Sequence, residues 1–438
     1  MEKLVKLNTP PGFRGKTHAG GQAHHVADSD QLRRAVLSCL LWEDQFYESG
    51  EHIADRIERL ALERPASEVA ALAIEARDRF NLRHAPLMLL SALARTARGT
   101  SILADTMPRV MLRADEMGEF LSIYWRKGKQ PISAQIKRGL RETFVKFDAY
   151  QLAKYNRASA VKLRDILFLV HPKPKDAAQQ AVWNSLVDGT LASPDTWEVS
   201  LSAGADKRET FERLLREGKL GYLALLRNLR NMSQAGVDAG LVRDAILARR
   251  GAQHVLPFRY VAAARHAPAF EPYLDQALSE AMAEMSPLDG KTVVLVDVSA
   301  SMECALSRRS DMTRLDAAAA LGAIVHGDLR VFTFSGKLVE VAPRRGMAGV
   351  DAIINSQVHY STYLRGALQD INARVPYDRI IVVTDEQSHD GLCDPVAPKA
   401  YMINVASYEP GISYGPWTRI NGFSESVIRY IHEAERTA

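Results

Sequence analysis

The spacing of apolar residues changes character once along the chain. From Asp28 to about Ala283, apolar positions recur at intervals of three and four residues, the period of one helix face. Asp30 can cap a helix carrying Leu32, Val36, Cys39 and Leu40. His52 to Leu62 follows with Ile53, Ile57 and Leu60, and Pro65 stops it; Ser67 to Phe80, Pro86 to Arg98 and Met107 to Tyr124 repeat the scale. Each predicted helix is about 12 to 18 residues long with a short break, and none shows strand alternation. Antiparallel helix pairs of this kind stack into an α solenoid, although the sequence carries no clean period. Beyond Pro287–Gly290, taken as the boundary, the pattern changes. Thr292 to Val296 and the run RIIVVTDE read as buried strands of a parallel sheet, with the helical pattern Leu364 to Val375 before the second. Gly422 to Glu435 places Val427, Ile428 and Ile431 on one face, so it should dock on that sheet. The expected organisation is an arm at 1–27, a helical domain at 28–285 and a doubly wound α/β domain at 286–438.

The first strand ends in Asp297-Val-Ser299-Ala-Ser301, which places a carboxylate and two hydroxyls outside a strand's carboxyl end, where open α/β sheets bind ligands. Thr362 precedes a helix and Asp385 closes the second strand, so all five side chains can converge. They are hard oxygen donors suited to Mg²⁺. The pattern resembles the metal-ion-dependent adhesion site of von Willebrand factor A domains, with one departure: Ser361 stands where that family has Gly. The resemblance implies that the hydroxyls hold the metal directly or through water, the aspartates mostly through water, and a partner's carboxylate supplies the last ligand.

Composition is that of an ordinary soluble domain, 47% hydrophobic and 25% charged. No apolar run is long enough to span a bilayer and the N-terminus lacks a signal-type apolar core, so a cytoplasmic protein is expected. Cys39, Cys304 and Cys393 are too few and too dispersed for a disulfide framework or a zinc ribbon. The net charge of +4 is unevenly shared: residues 286–438 hold 15 Lys and Arg against 18 Asp and Glu, or −3, which leaves 41 against 34, or +7, for the rest. Gly15-Lys16-Thr17 is no P-loop, because Pro10 occupies the place of its first glycine and no strand precedes it.

Within the helical region basic residues gather. Lys137, Arg138 and Arg141 share a helix, and the i, i+4 spacing puts Lys137 and Arg141 on one face. Lys154-Tyr155-Asn156-Arg157, Lys162 with Arg164, the His171-Pro-Lys173-Pro-Lys175 loop, and Arg227-Asn228-Leu-Arg230-Asn231 follow. Interleaved with Tyr, Asn and His, these clusters suit phosphate contacts together with stacking and edge contacts to single-stranded RNA.

Trp197 to Met232, Leu37 to Gly50 and LAKYNR at Leu152 to Arg157 resemble the TROVE domain of the Ro autoantigen family, in which a von Willebrand A domain follows directly. The wording of the N-terminal motifs resembles the bacterial or phage branch. The resemblance implies a single-chain ring of HEAT-like helices, monomeric, that binds non-coding RNA: single-stranded 3′ ends of misfolded RNAs in a central hole, and Y RNA on a basic outer surface. Lys154 and His171 match family positions that contact Y RNA, and Arg157 matches a third approximately. Lys137, Arg138, Arg141, Arg227 and Arg230 are assigned to RNA from charge and spacing alone. A ribonuclease such as polynucleotide phosphorylase is an implied partner.

Three functions compete. An RNA-binding ring acting in RNA quality control predicts salt-sensitive binding. A metal-dependent protein-interaction scaffold predicts that the A domain grips an acidic partner residue. Catalysis is disfavoured: Ser299 follows where dehalogenase-like enzymes place a second Asp, and no HExxH, GxSxG or complete P-loop is present.

Overall fold

The computed structural model describes residues 32–33, 35–36, 50–156, 159–255, 257–306, 312–386, 388–390, 392–405, 416–421 and 426–436. The expected arm at 1–27, Cys39 and Arg157 lie outside these residues. Two compact units emerge, one containing Gly50–Ala203 and the other Gly204–Ala438.

The first unit is built entirely of helices among the described residues. The helix His84–Thr96 is buried from Ala85 to Leu93, apolar on every side, as expected of an element surrounded by neighbours. Helices Gly50–Leu62, Ala66–Asp78, Ile102–Val110 and Asp115–Tyr124 pack around it. The single helix expected over Met107 to Tyr124 is in fact two. Met111 leaves the helical region with ψ 99, and the fully buried Glu116 explains the restart. Its carboxylate accepts the Leu112 and Arg113 backbone N–H groups at 2.8 and 3.0 Å, reaching back from inside the second helix to the turn before it, as the acidic residue of a capping box does. Arg77 pairs with the same carboxylate at 2.7 Å, so the buried charge is compensated.

In the second unit, helices from Lys207–Arg216 to Glu271–Ala283 precede a six-stranded sheet. Its strands are β1 Leu288–Asp297, β2 Gly327–Phe334, β3 Leu338–Val341, β4 Arg379–Thr384, β5 Lys399–Asn404 and β6 Thr418–Asn421. The order is β3-β2-β1-β4-β5-β6, parallel except for the β2–β3 pair. Successive β1 residues face opposite sides. Val293 and Leu295 join Leu364, Leu368 and Ile371 of the helix Leu364–Arg374 in one apolar cluster. On the other face the alanine-rich helix Arg314–Ile324 comes so close that a Cβ on Gly322 would lie 2.9 Å from Val296 Cγ2. Helices therefore cover both faces, as the near-continuous apolar strands required. The terminal helix Ser426–Arg436 docks as expected through Val427, Ile428 and Ile431, all buried, and Arg379, Lys399 and Tyr401 converge on its Glu435. The order reverses direction between β1 and β4, which opens a crevice at their carboxyl ends.

Candidate functional site

Asp297 is the last residue of β1 and Asp385 the first after β4, so the sheet itself sets both carboxylates at that crevice. Both are fully buried. Asp297 Oδ1 accepts the Ser299 N–H at 2.9 Å and Oδ2 accepts the Thr384 hydroxyl at 2.6 Å. Burial, and then the charge of Asp385, push the Asp297 carboxyl up to about 7. Two carboxylates in one dry site cannot both ionise cheaply. The Ser299 and Ser301 hydroxyl oxygens stand 3.2 Å apart. That separation is close to the edge of an octahedron with bonds of about 2.1 Å, which is about 3 Å.

Thr362, almost fully buried, arrives on a loop tied down from two directions. Ser335, at the end of β2, accepts the Tyr360 N–H at 2.8 Å and donates its hydroxyl to the Ser361 carbonyl at 3.1 Å. From the loop after β4, the His389 N–H donates to the Thr362 carbonyl at 2.9 Å. Asp390 caps the helix Leu364–Arg374 from outside, accepting the Arg365 and Gly366 N–H groups at 3.0 and 2.8 Å. Ser361 is not among the residues with positive φ, so a serine sits there without the backbone strain that would call for glycine.

Two neighbours of the site carry no motif. Arg314 reaches from the start of the alanine-rich helix, its Nη1 3.5 Å from Asp385 Oδ2 and 3.4 Å from the Ser301 carbonyl. Thr384 locks Asp297 and also accepts the Glu386 N–H at 3.0 Å. Their signal was positional: Thr384 lies beside Asp385, whereas Arg314 becomes visible only once the helix is placed. Among the described residues no three His, Cys, Asp or Glu side chains gather to hold an ion. A cation in this crevice would rest on hydroxyls as much as on charge.

The basic candidates are scattered over both units. In the first, Lys137, Arg138 and Arg141 lie on the helix Ala134–Phe144. Arg138 is paired with Glu142 at 2.8 Å and Asp105 at 3.0 Å. Arg141 donates through Nε to the Val170 carbonyl, at the end of the helix Leu163–Val170. His171 is that helix's C-cap, exposed and left-handed at φ 48, so Arg141 and His171 flank one carbonyl. Lys154 Nζ lies 5.5 Å from the Tyr150 ring centre and 5.8 Å from that of Tyr155, with the Arg113 guanidinium 4.4 Å from the latter ring. In the second unit, Arg227 and Arg230 are exposed on the helix Tyr222–Gln234. Asn228 between them is buried, donates to the Ala224 carbonyl at 2.9 Å and accepts from Asn231. It is therefore removed from the edge contacts to bases that the sequence suggested.

A TROVE domain family model matches residues 180–256, a span that includes Arg227 and Arg230 but neither Lys154 nor His171. Telomerase protein component 1 of Mus musculus and of Rattus norvegicus are each 29% identical to this chain over 110 residues, 24% of the chain. The chain spans only 4% of the length of these curated relatives. The crystal structure of the Deinococcus radiodurans RO (RSR) protein shares the fold, with a TM-score of 0.67 at 19% identity over 93% of this chain and 100% of that one. No helix among the described residues is long and apolar enough to cross a membrane.

Proposed function

We propose, for a chain that belongs to the Ro family of TROVE-domain proteins, that its function is to bind non-coding RNA without turning it over. The observation that supports this most is the setting of Lys154, between two tyrosines with Arg113 on the second ring. Exposed rings carrying cations stack on bases and face phosphates at once. Arg141 and His171, flanking the Val170 carbonyl, and Arg227 and Arg230 on the helix Tyr222–Gln234 are the further candidate contacts. The finer reading is that Y RNA-like structures bind near Lys154 and His171, that single-stranded 3′ ends of misfolded RNAs are the other cargo, and that the protein serves RNA quality control in the cytoplasm alongside a ribonuclease such as polynucleotide phosphorylase.

The same reading takes the C-terminal sheet as a von Willebrand A-type domain. Ser299, Ser301 and Thr362 would hold Mg²⁺, with Asp297 and Asp385 behind them. The donor set fits: two buried carboxylates whose mutual repulsion a dication relieves, and two hydroxyls at an octahedral edge spacing. The bound ion would act as an attachment point for an anionic partner group. Val358 and Tyr360, 64% and 68% exposed on the loop leading to Thr362, favour a protein as that partner. This second role is compatible with RNA binding.

The test is a gel shift with an RNA hairpin carrying or lacking a single-stranded 3′ tail. Binding that depends on the tail is expected for wild type, and Lys154→Ala/His171→Ala should lose affinity for structured RNA only. A protein that shifts neither RNA at low salt would sink the RNA reading.

A further inference from the structure

A cleft of about 890 Å³ opens in the helical unit, lined by Trp125, Lys129, Ile132 and, opposite, Val161, Asp165 and Leu169. Its size lies within the range of roughly 300–1,000 Å³ that takes small organic groups. None of these residues belongs to the basic clusters or the metal loop, and neither role explains them.

The Trp125 wall is held in place from several sides. The indole N–H donates to the Gln130 carbonyl at 2.8 Å, the Gln130 amide to the Tyr124 carbonyl at 3.1 Å, and the Tyr124 hydroxyl to the Pro131 carbonyl at 3.3 Å. Behind this loop Lys127 pairs with the buried Glu58 at 2.9 Å and Arg126 with Asp55 at 2.6 Å. The opposite wall is equally close-set, since a Cβ on Gly118 would lie 2.6 Å from the Val161 carbonyl. Asp165 on that wall is already engaged, accepting the Lys162 N–H at 3.1 Å. The loop therefore presents a half-buried indole already oriented, with Lys129 Nζ 5.5 Å from its ring. Exposed Lys162 and Arg164 follow Val161 in the chain.

We infer that this cleft is a nucleobase pocket: an unstacked base of single-stranded RNA lies against Trp125, and Lys129 faces the adjoining phosphate. The inference rests on the RNA-binding reading above and names a contact that reading does not contain. Charge complementarity selects the occupant. An aromatic wall with a cation at its ring matches a flat group attached to a phosphate. An apolar peptide would leave Lys129 without a counterpart.

The test uses the full chain and a short fluorescein-labelled oligoadenylate, with an abasic version of the same length, read by anisotropy. Trp125→Ala should weaken oligoadenylate binding about 5- to 150-fold, the cost of one lost stack at about 1–3 kcal/mol, while Trp125→Phe retains most of it. The abasic strand should bind the wild type and Trp125→Ala alike, and Lys129→Ala should weaken both strands. Because the indole also braces its loop, Trp125→Phe, with a thermal midpoint near that of the wild type, keeps the test valid if the alanine variant unfolds. Oligoadenylate binding unchanged in Trp125→Ala would overturn the proposal, hand the cleft to another occupant and leave RNA binding elsewhere intact. Equal losses for the abasic strand would overturn it too, since the indole would then be structural. If the wild type binds neither this strand nor a hairpin, the RNA reading itself has failed.

Discussion

The crevice at the sheet's carboxyl end and the basic surface of the helical unit are opposite kinds of site. In the crevice, Asp297, Ser299, Thr362 and Asp385 are buried. Each is placed by a strand end or by a loop pinned to one: Asp297 is bonded to the Ser299 N–H and the Thr384 hydroxyl, and the Thr362 carbonyl to the His389 N–H. On the helices, Lys154 is half-exposed and Arg138 and His171 are exposed. The first arrangement holds two carboxylates in a dry place. The second keeps charge in water, where each contact is weak and function comes from the number of contacts. Substitutions in the crevice should therefore be felt in the fold, and substitutions on the helices only in binding.

The largest effect should come from the crevice. Asp297→Ala strands the Ser299 N–H and the Thr384 hydroxyl, each at about 1–3 kcal/mol, and should abolish any rise in melting temperature on adding Mg²⁺. For the wild type, Mg²⁺ at about 100 times its Kd should contribute roughly 2.7 kcal/mol, measured as the shift in thermal unfolding against EDTA. A wild type indifferent to Mg²⁺ would remove the metal from the account.

The sign of the pH dependence follows from Asp297. Its carboxyl is raised to about 7 in the fold and is near 3.9 when unfolded. The cation-free protein is then favoured below about pH 4 and loses that advantage as pH rises through about 7. Magnesium should stabilise more at pH 8 than at pH 6, and equal shifts would contradict the repulsive pair.

Next in size, Lys154→Ala/His171→Ala should cost about 1–2 kcal/mol in RNA affinity while moving stability by less than about 0.5 kcal/mol, as read from paired gel-shift and melting experiments. The smallest effect belongs to Arg138→Ala. Glu142 and Asp105 already neutralise that guanidinium, and pairs this exposed contribute about 0–1 kcal/mol. RNA affinity within twofold of wild type is expected, and a loss matching that of Lys154 would show the pairs open on binding.

The two regions also differed in how much of them could be read from the chain. The crevice was legible because strands impose order: a β-branched run fixes where a strand ends, and Asp297 and Asp385 each mark such an end. Helix existence was likewise legible from the 3.6-residue period. The break at Met111 was not, because it depends on Glu116 folding back on its own helix start, a local capping choice that periodicity does not encode. Asn228 misled for a similar reason: a polar residue on an amphipathic helix faces inward when the carbonyl one turn earlier accepts it. Arg314, Ser335 and Asp390 were invisible because their roles arise from the packing of loops distant in sequence. Among the basic residues, charge and spacing named candidates but could not separate Arg138, held by neighbours, from Lys154, laid on rings.

The central claim is that RNA is held by phosphate contacts on the helical surface. The most direct measurement is the salt dependence of RNA affinity for wild type and for Lys154→Ala/His171→Ala, with a tailed hairpin as ligand. The account predicts a steep, linear fall of log K with log salt, and a slope shallower by about one in the double variant as Lys154 stops releasing a counterion. A flat wild-type line, or parallel lines with unchanged affinity, would contradict it.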